Sequence, residues 1–319
     1  GVMESTDLLI KVITPTIMGG GFGQSDDIRP SEIKGLMRYW FRAVAGSFIV
    51  HFPEDKLKQD LKILKQFEES IFGSTQKKAS FRIIIKNHKL KTGKLSHLPH
   101  KSWSKNNPLT AVLPDSHYNL EILIRNIPFG KVNVKEYKNF LKNLLKLSLF
   151  FGTGFRKNRF FGNMIIESEK VENIENLVNE IKTFVSNTSG LYEKKKTLLP
   201  AFPTFSFRNG KEKNFYIEKV LDNCHVNNWE NFLENFYKGI IHKIEKDHSI
   251  RFFIDGGIRN FHKYSLLNFS YIDGSIYLSS FFHKNNGSLN NPKKYNDWKN
   301  GLNKIKTLIN SGGLCTNGR

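Results

Sequence analysis

The chain has 319 residues and carries 49 Lys and Arg against 29 Asp and Glu, a formal charge of +20 with every His neutral. Its 39% hydrophobic and 13% aromatic content sets it apart from a disordered basic tail, because enough large side chains are present to offset the entropy of ordering a core. No run approaches the roughly 18 to 20 uncharged apolar residues of a membrane span, and no basic-then-apolar secretory layout opens the chain, so a soluble intracellular protein without a membrane partner is expected. Two cysteines, Cys224 and Cys315, exclude a disulfide framework and a four-cysteine zinc site.

In chain order, Leu8 to Thr16 is apolar and β-branched, and it breaks at Gly19-Gly20-Gly21 and Gly23, as a strand ending in a loop does. Pro30-Ser31-Glu32 opens a helix in which Ile33, Leu36, Met37, Trp40 and Val44 recur at helical spacing to about Phe48. Lys56 to Phe72 repeats the pattern and stops at Gly73. Phe81 to Lys86 and Tyr118 to Arg125 read as strands separated by a long polar insertion, 87–116, and Val134 to Phe151 is an amphipathic helix ended by Gly152 and Gly154. Met164 to Ile166 supplies a fourth strand. The order β-α-β-β-α-β, with two helices in the first helical position, is that of the split βαβ or ferredoxin-like unit, an antiparallel sheet with helices on one face. The fold class is therefore α+β, with a first domain over 3–170. Beyond it, helices at 172–186, 228–247 and 292–310 surround a hairpin, 266–272 with 276–282, across Asp273-Gly274. This makes 171–319 a second α+β domain, a divergent ferredoxin-like fold.

A charge of +20 attracts polyanions, yet scattered lysines also merely solubilise, so the position of the cations must decide. On a helix advancing about 100° per residue, Lys34, Arg38 and Arg42 lie within about 80° of one another, with Gly35 on the same side. Glu32 is the one acidic residue between Ser31 and Phe48, so pairing within that helix cannot absorb the arginines, whose planar forks suit phosphate oxygens. Upstream, Gly19 to Gly23 with Arg29 lies between strand and helix and could aim backbone N–H groups at a phosphate, although its spacing fits neither a dinucleotide fingerprint nor a Walker loop. The segment Phe151-Gly152-Thr153-Gly154-Phe155-Arg156-Lys157-Asn158-Arg159-Phe160-Phe161-Gly162 interleaves three cations with rings and glycines, the combination single-stranded nucleic acid requires. Phe151 and Phe161 are expected in the core.

These residues carry a resemblance. The Ile13-Thr14-Pro15 strand, the Gly19-to-Gly23 loop, the helix Arg29-Pro30-x-x-Ile33-Lys34-Gly35-x-x-Arg38-x-Trp40-x-Arg42, the Ile71-to-Ser74 helix end and the Gly152-to-Gly162 loop resemble the RAMP superfamily. More narrowly, the helix resembles that of the first RAMP subunit of type III-B (Cmr) CRISPR effector complexes. The resemblance implies paired ferredoxin-like domains and a cytoplasmic antiviral-defence ribonucleoprotein. It also implies guide RNA and target RNA as partners, held near the 3′ end of the guide or its duplex, beside other RAMP subunits of the Cmr complex. Expected RNA-binding residues are Arg29, Lys34, Arg38, Arg42, Arg156, Lys157 and Arg159, with loop backbone at Gly19, Gly20, Gly21, Gly152, Gly154 and Gly162.

No catalytic residue, metal or cofactor is expected. Histidine is a possible base for a ribose 2′-OH, as in RAMP nucleases that process guide precursors, but none lies in the glycine loop or the Lys34 helix. His88, His97, His100 and His117 fall in or beside the insertion, and His225, His242, His248, His262 and His283 in the second half. Asp26 and Asp27 are the acidic candidates. The alternatives are therefore a metal-independent guide-processing endoribonuclease and a protein-docking subunit without RNA contact.

Overall fold

The computed structural model describes residues 1–19, 27–48, 54–171, 173–193, 200, 202–255, 266–283 and 294–315. Strand β1 (Glu4–Val12) leads to α1 (Pro30–Ala45), with Pro30 at its first turn, and then to α2 (Glu54–Phe72). Next come β2 (Phe81–Lys89), β3 (Thr92–Leu95), α3 (Ser102–Lys105), β4 (Leu109–Val112) and β5 (His117–Ile124). Helix α4 (Val134–Phe151) begins where the Asn133 side chain accepts the Glu136 N–H (2.9 Å) and ends at Gly152; β6 (Met164–Ile166) follows.

The strands β2-β5-β1-β6 form one antiparallel sheet, with Leu8 opposite Leu120 and Ile10 opposite Tyr118. That order is the one the split βαβ reading predicts. Alternation sets the register: Leu8, Ile10 and Val12 are buried with Leu120, Ile122 and Ile124 against Met37, Phe41 and Val44 of α1 and Leu141, Leu144 and Leu145 of α4. Helix α5 (Ile174–Ser189) joins this core through Leu177, Val178 and Ile181.

The rest of the chain builds a three-stranded antiparallel sheet. After the short hairpin β7 (Phe207–Arg208) and β8 (Glu212–Lys213) come β9 (Phe215–Leu221), α6 (Trp229–Phe236), a π-helical turn over Tyr237–Ile241, α7 (His242–Lys246) and α8 (Phe252–Asp255). Strands β10 (Asn268–Ile272) and β11 (Ser275–Phe281) and helix α9 (Tyr295–Ser311) complete it, in the sheet order β10-β11-β9. The expected hairpin across Asp273-Gly274 is present, both residues taking positive φ (46° and 86°) as a type I′ turn requires. A second core gathers around Trp298, Phe253, Phe236 and Phe269. The α+β class with antiparallel sheets is thus as the sequence implied. Among the described residues no helix is long and apolar enough to cross a membrane.

Two features depart from the reading. The 87–116 insertion is ordered as the β3–β4 hairpin with α3 at its tip, and it is tied to the first strand's continuation by reciprocal Thr16 and Val112 backbone bonds (2.9 and 2.8 Å). Its strand pattern was hidden because only Leu95 of β3 is buried. The two cysteines, too few for a framework, are nevertheless joined to each other as one disulfide, Cys224–Cys315, across 91 positions.

Candidate nucleic-acid interface

Helix α1 buries Ile33, Met37, Trp40, Phe41 and Val44 and leaves Ser31, Gly35, Tyr39 and Arg42 exposed, with Lys34 and Arg38 half-buried at one margin. Beside that margin stand α2 and the sheet. The Lys34 ammonium lies 5.3 Å over the Phe81 ring, and burial, with Arg125 and Arg38 near, pulls its pKa below the usual lysine range. The Arg38 guanidinium lies 5.8 Å over Phe72. Arg125, just past β5, is an exposed member of this group that the sequence reading missed, because it ends a strand with no motif around it.

Arg38 and Arg42 are not unopposed, as the sequence of α1 had suggested. Both direct Nε at Oε1 of Glu68 on α2, Arg38 at 3.0 Å. The Glu68 side chain is only 8% exposed, whereas that of Arg42 is 58% exposed. Two guanidinium groups thus share one carboxylate, which fixes their orientation and leaves one net positive charge. The partner came from another helix, beyond any i,i+4 rule.

The glycine loop reaches the other margin of the same helix face. Trp40 stacks on Phe151 (centroids 4.0 Å apart), and the Lys157 ammonium sits 5.3 Å over the exposed Tyr39 ring, its pKa lowered by burial. From Lys34 through Arg38, Arg42 and Gly35 to Tyr39 the helix turns through about 140°, so these side chains share one surface. Gly35 sits in its middle, with nothing within 4 Å of where a Cβ would stand.

The other predicted residues divide. Arg156, at positive φ (54°), turns away from α1 and donates to the Tyr237 hydroxyl, 5.7 Å over that ring. Arg159 has to be withdrawn as a surface cation. It is 8% exposed, its Nη1 donates to the Leu267 carbonyl (2.6 Å), and burial pushes its pKa down to about 10. There it joins the halves of the chain, as do the backbone bonds from Phe160 to Phe269 and from Phe269 to Asn158. Phe151 and Phe161 are buried as expected, and so is Phe160, whereas Phe155 is exposed.

The glycines also prove to serve the chain itself. Gly152, Gly154 and Gly162 all have positive φ, and a Cβ on them would stand 2.7 Å from Phe161 O, 2.3 Å from Ile17 O and 1.8 Å from Thr153 O. The close approach they permit is of the loop to itself and to the Ile17 carbonyl beyond β1. Gly19 N–H is likewise taken by Glu32 Oε1 (2.9 Å), and the Arg29 guanidinium covers Gly19. Gly20, Gly21, Gly23 and Asp26 lie outside the described residues, as do His262 and 256–259.

Of the histidines, His97 is buried and His100 stacks on Tyr237 (4.5 Å). His88 Nδ1 lies 3.5 Å from Asp27 Oδ1, and His117 Nε2 3.7 Å from Glu167 Oε2. Among the described residues no three His, Cys, Asp or Glu side chains gather as metal ligands.

With the split βαβ sheet, the cationic helix face and the glycine loop in place, residues 9–165 match the model of the RAMP superfamily, and this part of the chain belongs to it. Within that class it is similar to Cmr1 proteins. CRISPR system Cmr subunit Cmr1-2 of Pyrococcus furiosus is 33% identical over 86 residues, 27% of this chain and 42% of that protein; Cmr1-1 of the same organism is 41% identical over 59 residues, 18% of this chain and 15% of that one. The matched segments thus span less than half of each relative. The crystal structure of apo Cmr1 from Pyrococcus furiosus matches over 88% of both chains with TM-score 0.54 at 20% identity. A chain of a cryo-EM structure, Type III-B Cmr-beta bound to cognate target RNA and AMPPnP in the presence of ssDNA, matches with TM-score 0.51 at 15% identity, covering 86% of this chain and 93% of that one. At such identities the likeness is one of fold.

Proposed function

We propose that this chain is a non-catalytic RNA-binding subunit of a type III-B Cmr effector complex. Its outer α1 face and the adjoining Lys157 hold phosphates of the guide RNA or of its duplex with target RNA. One observation carries the reading: Lys157 over Tyr39 brings a cation from more than a hundred positions downstream onto the helix face that already holds Lys34, Arg38 and Arg42. Phosphate contacts position a strand without reading its bases, so guide sequences can vary freely on such a surface. The relatives named as Cmr subunits support the assembly, with other RAMP subunits as neighbours.

Five cations line the face, Lys34, Arg38, Arg42, Arg125 and Lys157, and Glu68 offsets one. Four net contacts at roughly 0.7 each give a slope of about −3 for log affinity against log salt on single-stranded RNA. The purified chain should show that slope with unrelated sequences alike. A slope near zero, or strong sequence preference, refutes the proposal.

One observation favours a second reading, a metal-independent ribonuclease: the His88–Asp27 pair at the edge of the glycine-rich segment is a base with an orienting carboxylate. Labelled repeat RNA incubated with the chain in chelator separates the two. RNA left intact fits a binding subunit, whereas discrete cleavage abolished by His88→Ala establishes the enzyme.

A further inference from the structure

The insertion has a role in this arrangement that its sequence did not disclose. Its tip folds against the glycine loop, so that the His97 ring meets Trp103 of α3 (centroids 5.9 Å apart, planes at 69°) and Phe155 of the loop (5.3 Å, 65°). His97 is buried, but Trp103 is 57% and Phe155 43% exposed. Two large rings kept in water beside a buried ring form a surface suited to being covered, since covering them removes apolar area from water.

The rim indicates what covers it. Arg156 and Lys101 lie close enough to act on His100, as does Lys238, and Lys105 pairs with Glu234 at 3.5 Å. Glu234 also holds Lys238 (2.8 Å), and Glu230 accepts the Ser96 N–H (2.6 Å), so four cations face two carboxylates. Burial and Arg156 push the His97 pKa down to about 4, and burial with those cations lowers that of His100, which keeps both rings uncharged at neutral pH. Ring faces bordered by excess positive charge complement unpaired bases on a phosphate strand better than an apolar protein surface. Phe155, Arg156 and Lys157 are consecutive, and Lys157 already touches the α1 face, so one strand can pass from phosphate contacts to the rings within three residues of loop.

We propose that Trp103 and Phe155 form a stacking platform for unpaired bases of the RNA whose phosphates lie along α1. The inference rests on the reading given under Proposed function and adds to it the single-stranded character of the bound segment.

Trp103 is the exposed one of four tryptophans, since Trp40 and Trp298 are buried and Trp229 packs on Phe232 and Tyr271. The full chain is titrated at low salt with a 12-nucleotide oligouridylate and with an abasic oligomer of the same length, while tryptophan emission is followed. Oligouridylate should quench the emission and the abasic oligomer should not. Trp103→Ala should weaken oligouridylate binding about tenfold, leaving the salt slope and abasic binding unchanged. Trp103→Phe should keep most of the affinity while losing the quench. If Trp103→Ala binds both oligomers like the parent while Arg38→Ala still weakens them, the platform is refuted and the phosphate face stands. If neither oligomer binds even at low salt, both fall.

Discussion

Glu68 offers the most discriminating perturbation of the helix face, because its carboxylate bridges two phosphate-binding candidates. Glu68→Gln keeps the shape and one oxygen acceptor for the Arg38 and Arg42 Nε groups but removes a charge that is 8% exposed. The face then carries five net positive charges instead of four. One additional counterion released steepens the salt slope by about 0.7, which makes single-stranded RNA bind about fivefold tighter at 0.1 M salt, with the difference fading toward 1 M. Loss of the buried pair should lower folding stability by about 1 to 3 kcal/mol, which urea titration monitors separately. Fluorescence anisotropy of labelled RNA across a salt series reads slope and affinity together. Weaker binding at unchanged slope would refute the charge argument, since it means that Glu68 contributes by ordering the guanidinium groups. Equal affinity at every salt concentration would remove RNA from this face altogether.

Other outcomes follow from the same geometry. Gly35→Ala should raise the melting temperature, being worth about 0.5 to 1 kcal/mol in an exposed helix interior, yet weaken RNA binding if a strand crosses the bare turn; tighter binding would contradict that crossing. Breaking the Cys224–Cys315 link with a reductant or by Cys224→Ser should cost about 3 to 5 kcal/mol for a loop of that length, seen as a lower urea midpoint, and an unchanged midpoint would argue that the bond adds nothing. His97 is held neutral, its pKa near 4 against 6.5 for a free imidazole, so its contribution is complete above pH 6.5 and is lost as pH falls toward 4. His97→Gln should flatten the stability profile over that range, and a profile as steep as the parent's would place the effect elsewhere.

The elements of the first sheet were readable because burial leaves a period. Leu8, Ile10 and Val12 alternate, and Ile33, Met37, Trp40 and Val44 keep helical spacing, so the split βαβ order followed from the chain. What stayed hidden was set by pairings between distant residues. The β3–β4 hairpin buries too little to show alternation, and its partners lie fourteen positions apart at Leu95↔Leu109 and twenty at Thr92↔Val112. Glu68 reaches Arg38 and Arg42 from thirty and twenty-six positions away, so an inspection of α1 alone could not find it. Nor does a run of three cations disclose that Arg159 turns inward while Lys157 lies over the Tyr39 ring; the first follows from the loop pairing with β10 through Phe269. The glycines of that loop read as letting backbone approach a ligand; in the structure the carbonyls of Phe161, Ile17 and Thr153 stand where their Cβ atoms would be.

The most direct test of a shared phosphate surface is photocrosslinking of single-stranded RNA to the purified chain at low salt, with the nucleotide-bearing peptides identified by mass spectrometry. Adducts should fall together on the 29–42 helix and on the 155–157 stretch of the glycine loop, and both should vanish as salt rises. Adducts confined to one of the two, or gathered on α9 and the second sheet, would contradict a common face.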